Sequence, residues 1–250
     1  MLRLLLLFCF SAILLLAEEN PLPQSPTIPT INLNLGVPTE PGDLVTTLNI
    51  VVILTLLVLA PSLILMATSF ARILIVLSFL RTAMGTQQSP PTQLLVSFAL
   101  ILTLFIMEPV AKEGYEKGVK PYIAKEIPYD EAFLLASEPF KEFMMKNTRP
   151  KDLALFYRIR NLQNPQTPQD VPLSIALPAF IISEMKTAFQ IGFLLYLPFL
   201  VIDMVISSIL MAMGMMMLPP TMISLPFKIL IFILVDGFNL LTINLVQSFR

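Results

Sequence analysis

Histidine and tryptophan are absent from this 250-residue sequence, cysteine occurs once, at Cys9, and charged residues make up only 13%. Without imidazole, and with a single thiol, zinc sites, Ser-His-Asp triads and Cys-His dyads cannot be built. A chain whose lone cysteine is Cys9 tolerates an oxidising compartment without needing disulfides. The near balance of 16 basic and 17 acidic residues leaves no basic stripe for nucleic acid. No Gly-rich phosphate loop of the Walker type occurs, so any energy input must come from a partner. No catalytic residue, metal or cofactor is expected, and the chain does not read as an enzyme. What is abundant is apolar surface: 56% of residues are hydrophobic, with a mean hydropathy of +0.79. A water-soluble domain of this size cannot hide that much, because folded surface grows too fast relative to volume. The bilayer is the expected solvent for much of the chain.

Residues 1–17 read as a signal peptide, with Arg3 as the positive n-region, Leu4 to Leu16 as the apolar core, and Ala17 before the cleavage point. Residues 18–43 read as a linker, because Pro21, Pro23, Pro26, Pro29, Pro38 and Pro41 recur among Thr and Asn and favour an extended, solvated backbone. From Leu44 the pattern changes. Residues 44–108 are expected to form a first helical hairpin, its first arm running apolar from Leu48 to Leu80 and bent at Pro61, its second from Leu94 to Met107. Arg81 to Pro91 is its turn, where Gly85 permits positive φ and Pro90-Pro91 cannot continue the preceding helix.

Residues 109–171 carry ten of the 16 basic and nine of the 17 acidic residues, and so form the aqueous, periplasmic part. Helical spacing there predicts helices over Tyr129–Asn147 and Lys151–Arg160. Residues 172–250 read as a second hairpin with arms of about forty and thirty residues, too long for plain spans, bent at Pro178, Pro198 and Pro226. Its tip is the Met-rich break Gly214 to Pro220. The fold class is therefore all-α, an integral membrane-type protein of two long, proline-kinked hairpins with a small extracytoplasmic helical domain between them. A cleaved signal peptide leaves the new N-terminus outside. Both hairpin tips then face the cytoplasm, and Arg72 and Arg81 lie near the inward tip as the positive-inside rule asks.

Glu184, Lys186, Asp203, Lys228 and Asp236 each interrupt a run otherwise fit for lipid. A charge at mid-membrane costs about 2.5–3.5 kcal/mol on insertion scales, so each must face a partner, water or another subunit. Lys228, near Pro226, could instead snorkel to the interface. Glu184 and Lys186 are two apart and cannot pair on one helix face, which points to pairing between arms or subunits. The run Met215-Met216-Met217 sits at a glycine-preceded, proline-terminated tip and cannot all face one side of a helix. Methionine fills gaps in ordinary cores, but polarizable thioethers gathered at a tip also suit a deformable seal.

Two stretches carry a resemblance: Pro178 to Gly192 (PAFIISEMKTAFQIG) and Leu225 to Phe238 (LPFKILIFILVDGF). With Gly214 to Pro220, the Arg81 to Pro91 turn and the signal peptide in the same order, they resemble the FliP family of flagellar type III export components, whose virulence counterparts are the SctR proteins. One departure is Phe238, where that family usually has tryptophan; aromatic bulk is kept. The resemblance implies a core subunit of an export gate in the bacterial inner membrane at the flagellar basal body. It implies a pentameric ring assembling with FliQ and FliR, meeting FlhB and FlhA, and passing unfolded rod, hook and filament proteins. It also implies that Met215, Met216 and Met217 line the closed pore as a gasket, and that residues 109–171 self-associate.

Other classes compete. A solute channel or secondary transporter would also use broken helices and intramembrane charge, and would conduct small solutes with this chain alone. An intramembrane aspartyl protease could draw on Asp203 and Asp236, but Asp236 follows Leu234-Val235 rather than a Gly-x-Gly context. A virulence secretion subunit, or a scaffold that nucleates the basal body, shares the same sequence features.

Overall fold

The computed structural model describes residues 41–250 except 87, 164, 166, 168, 169, 216, 217 and 250, with side chains from residue 47 onward. The expected signal peptide and nearly all of the expected linker lie outside the described residues; residues 41–43 already belong to the first helix. The chain divides at Val52. The described part of the first unit is the start of α1 (Pro41–Met66), and the second unit holds the rest of that helix and every later element.

The described residues are helical and contain no strand. After α1 come α2 (Phe70–Met84) and α3 (Thr92–Gly114), which passes through a π-helical turn (Tyr115–Val119) into the short α4 (Lys120–Ile123). Then follow α5 (Tyr129–Asn147), α6 (Pro150–Ile159), α7 (Leu173–Ala212), α8 (Pro220–Leu234) and α9 (Gly237–Gln247). Three helical stretches are long and apolar enough to cross a membrane: Thr47–Met66, Thr92–Ile123 and Leu173–Ala212. The pair α8–α9 is apolar and long enough only when taken together, and it is bent by 64° at its break.

The buried centre is organised by α2. Ile73, Val76, Leu77, Leu80, Ala83 and Met84 are all buried and recur at helical spacing, so one stripe of α2 is fully covered. α2 packs chiefly against α7, through Phe180 and Ala188, and also against α3, through Leu95, Ala99 and Leu102. Phe143 of α5 closes one end of this core, stacked on Phe249 with ring centroids 6.0 Å apart. Outside that core the helices are poorly covered: Leu57 and Val58 on α1, Leu104 on α3 and Met204 on α7 are among many exposed apolar side chains.

The breaks between helices do not fall at Pro61, Pro178, Pro198 or Pro226. Pro61 lies inside α1, and the interruption comes at Ala67–Ser69. There the Thr68 hydroxyl donates to Leu65 O at 2.8 Å and accepts from Phe70 N at 3.4 Å, replacing backbone partners. Pro178 and Pro198 both lie inside α7, which runs 40 residues without a break. Apolar helices tolerate proline because neighbouring groups satisfy the freed carbonyls. Pro226 is likewise inside α8, and the bend of the last arm is at Asp236, whose backbone is left-handed at φ 50°. Gly237 follows because the Phe232 ring lies against it: a Cβ there would sit 2.2 Å from the ring. The expected boundary at residue 109 falls inside α3, so the charged segment is continuous with the second arm of hairpin one. Within it, α5 covers the predicted Tyr129–Asn147. Gly114 and Gly118 let α5 approach closely, for a Cβ on Gly118 would lie 2.4 Å from the Ala132 carbonyl oxygen.

Candidate functional site

The signature stretch of α7 explains its own composition once its faces are separated. Phe180, Glu184, Ala188 and Gly192 recur every fourth residue and turn toward α2. Gly192 is required there, because a Cβ would come 2.6 Å from the Phe79 ring. Ser183, Lys186, Thr187 and Gln190 form a second stripe, and they clasp the corner between α5 and α6. Glu184 and Lys186, two residues apart, thus serve different neighbours.

On the first face, Glu184 is 0% exposed and Arg72 of α2 is 3% exposed. Arg72 donates from Nε to Glu184 Oε2 at 2.7 Å and from Nη2 to Oε1, a two-pronged pair that matches guanidinium to carboxylate. Its remaining Nη1 donates to the carbonyl and the hydroxyl of Ser248, both at 2.9 Å. The guanidinium also lies 3.7 Å from the centre of the Phe249 ring, a cation–π contact. One side chain therefore ties α2, α7 and the segment after α9. Arg72, expected near the inward tip, is buried and paired. The signal that could have found it is the same one that singled out Glu184: a lone charge in an apolar run.

On the second face, Lys186 donates to Asp152 in the first turn of α6; the lysine side chain is 52% exposed and the carboxylate buried. Arg149 Nη2 donates to Thr187 Oγ1 at 3.0 Å and to Gln190 Oε1 at 2.5 Å. The Arg149 backbone N–H donates to Ser183 Oγ at 2.9 Å, which gives the start of α6 a partner from α7. Asp152 and Arg149 were not singled out from sequence, since they sit among the ordinary charges of the aqueous segment.

A third charged group joins α8 to α7 and to the end of α2. Lys228 of α8 is buried, 3% exposed, and does not snorkel. It donates to Asp203 Oδ2 of α7 at 2.6 Å and to the Ala83 carbonyl of α2 at 3.0 Å. Ser224 Oγ donates to the other oxygen of Asp203 at 2.5 Å. Asp236 differs from the other four: it is exposed at the α8–α9 bend, and its carboxylate accepts from Asn239 at 3.1 Å.

Each expected tip holds a left-handed glycine at the end of a helix. Gly85, φ 76°, ends α2, and Arg81 donates to Thr92 Oγ1 at 3.0 Å across the turn, with Pro90 and Pro91 leading into α3. Gly214, φ 73°, ends α7, with the Met215 N–H returning to Leu210 O at 3.0 Å. Met215 is exposed at this tip; Met216 and Met217 lie outside the described residues. Among the described residues no cluster of potential ligands could hold a metal ion.

These features define a class: an all-α, membrane-type protein whose apolar helices, uncovered on the outside, are tied on the inside by buried ion pairs. A sequence profile described as the FliP family matches residues 53–245. The chain is 50% identical over 217 residues to a flagellar biosynthetic protein FliP of Bacillus subtilis, covering 87% of this chain and 98% of that one. It is 50% identical to the protein of that name from Caulobacter vibrioides, covering 88% of this chain and 82% of the relative. The Aquifex aeolicus protein of that name is 44% identical, covering 89% and 92%. The chain belongs to the FliP family.

Proposed function

We propose that this chain is the core pore-forming subunit of a flagellar type III protein export gate, serving export of rod, hook and filament proteins. In this reading five copies form a ring with FliQ and FliR, meeting FlhB and FlhA, in the inner membrane at the flagellar basal body. Residues 109–171 are its extracytoplasmic self-association domain.

The observation that carries the reading is the mismatch between α7 and a bilayer. Its 40 residues extend about 60 Å at 1.5 Å per residue, twice a hydrocarbon core of roughly 30 Å. Phe193, Leu194, Val201, Met204 and Val205 along it are exposed. Lipid cannot cover an apolar rod of that length, whereas sister copies and partner helices can. The relatives' shared name, flagellar biosynthetic protein, favours flagellar over virulence use. Met215, exposed at the tip with Met216 and Met217 beside it in sequence, supplies the soft, uncharged side chains a seal around varied polypeptides needs.

The test has two arms. Purified with and without co-expressed partners, the protein is expected to run as a ring-sized assembly by intact mass, and a stable solitary chain overturns the reading. Replacing Met215, Met216 and Met217 with Ala is expected to leave assembly intact and let small ions leak through the closed gate. Wild-type impermeability of that variant removes the gasket.

A further inference from the structure

The end of α2 meets α7 and α8 short of the segment that joins those two helices, and a buried ammonium bonds all three there. Ala83, whose carbonyl receives Lys228, is the penultimate residue of α2, directly before the left-handed Gly85 turn. The last carbonyls of a helix have no partner in their own helix and carry the negative end of its dipole, so a cation that reaches them does two jobs at once. Lys228 also neutralises Asp203, and Ser224 fills that carboxylate's other oxygen, so the same group holds α7 against α8. From Asp203 to the end of α7 at Ala212 is nine residues, and from Pro220 to Lys228 eight. The two arms therefore project about 12–14 Å beyond this tie at 1.5 Å per residue.

That projecting part is sparsely covered, although Leu210 within it is buried. Met204, Met211 and Met213 on one arm and Met222 on the other are exposed, and Gly214 at the tip has no atom within 4 Å of where a Cβ would stand. We propose that Lys228 is the positioning residue of the Met-rich tip. By bonding Asp203, through it Ser224, and the Ala83 carbonyl together, it sets the angle at which both arms leave the body and makes the two hairpin tips move as one. The inference rests on the reading of that tip as the closed gate, and adds which side chains hold it in register. Lysine does what a neutral donor does not: its ammonium carries a full charge for Asp203 and a further donor for a carbonyl in another direction.

The experiment uses the full-length chain, with Cys9→Ser and spin labels on cysteines replacing the exposed Gln88 and Met222, one on each hairpin. Labelled chain is diluted into unlabelled chain so that only distances within one copy are read. The wild-type distance distribution is expected to be narrow. Lys228→Met is expected to broaden it roughly twofold as the arms sample more orientations, while helix content by circular dichroism is unchanged. Ser224→Ala, which removes one donor from Asp203 and leaves Lys228 in place, is expected to broaden it less. Lys186→Met, which loosens a tie to α6 on the other part of α7, is expected to leave it as in wild type. A folded Lys228→Met protein with the wild-type distribution overturns the proposal, as does equal broadening by Lys186→Met. The gasket reading fails separately, through a tight triple-alanine gate, so the two outcomes are told apart.

Discussion

Removing Arg72 isolates the worth of the most enclosed contact in the molecule. Arg72→Met keeps a long apolar stem and deletes the charge. It leaves Glu184, fully buried, without the two donors that satisfy its oxygens, and leaves the Ser248 carbonyl without its side-chain donor. Breaking one side of a buried pair costs about 3–5 kcal/mol, chiefly because the remaining charge is stranded away from water. For a cooperative unit of this size each kcal/mol is worth about 2–4 °C, so the midpoint is expected to fall by roughly 6–20 °C. Replacing both partners with apolar groups of similar size removes the stranded charge along with the pair. Arg72→Met with Glu184→Leu is therefore expected to recover most of the loss, to within about 1–2 kcal/mol of wild type. With no tryptophan in the chain, unfolding of the purified protein in mild detergent is followed by far-ultraviolet circular dichroism. A single variant that loses less than about 1 kcal/mol, or a double variant less stable than the single one, refutes the reasoning. The first outcome would mean that water or a neighbouring group already satisfies Glu184.

Two further substitutions probe backbone geometry by the same unfolding measurement. Gly118→Ala forces a methyl to 2.4 Å from a backbone oxygen that cannot rotate aside, so it is expected to cost at least about 1–3 kcal/mol and to part α5 from the π-helical turn; a neutral result would show the two backbones are free to separate. At the bend, Asp236→Gly relieves a left-handed residue while loosening the unfolded chain, and is expected to change stability by less than about 1 kcal/mol. Asp236→Val, β-branched at φ 50°, is expected to cost about 1–2 kcal/mol or more; equal stability of the two variants would mean that the backbone there is not held left-handed.

Composition pointed to the class. A chain that is 56% hydrophobic carries more apolar surface than a lone soluble domain of this size covers, and its described residues fold as long apolar helices. Local pattern was equally legible where it is self-contained: the periodicity over Tyr129–Asn147 needs no tertiary partner, and Gly85 marks its turn because few other residues adopt that backbone. The intramembrane charges were visible as anomalies for the same reason. Their partners were not, because pairing across 112 residues, as between Arg72 and Glu184, leaves no trace in local spacing. Nor could proline positions locate the helix breaks. A proline removes one donor, but whether the helix breaks depends on what neighbours it, so Pro61 and Pro198 stay helical while Thr68 and Asp236 mark the breaks. Sequence therefore decided which residues must be satisfied, and only the packed structure decided by whom, since a buried charge specifies the need for a counterpart but carries no information about where the chain will bring one.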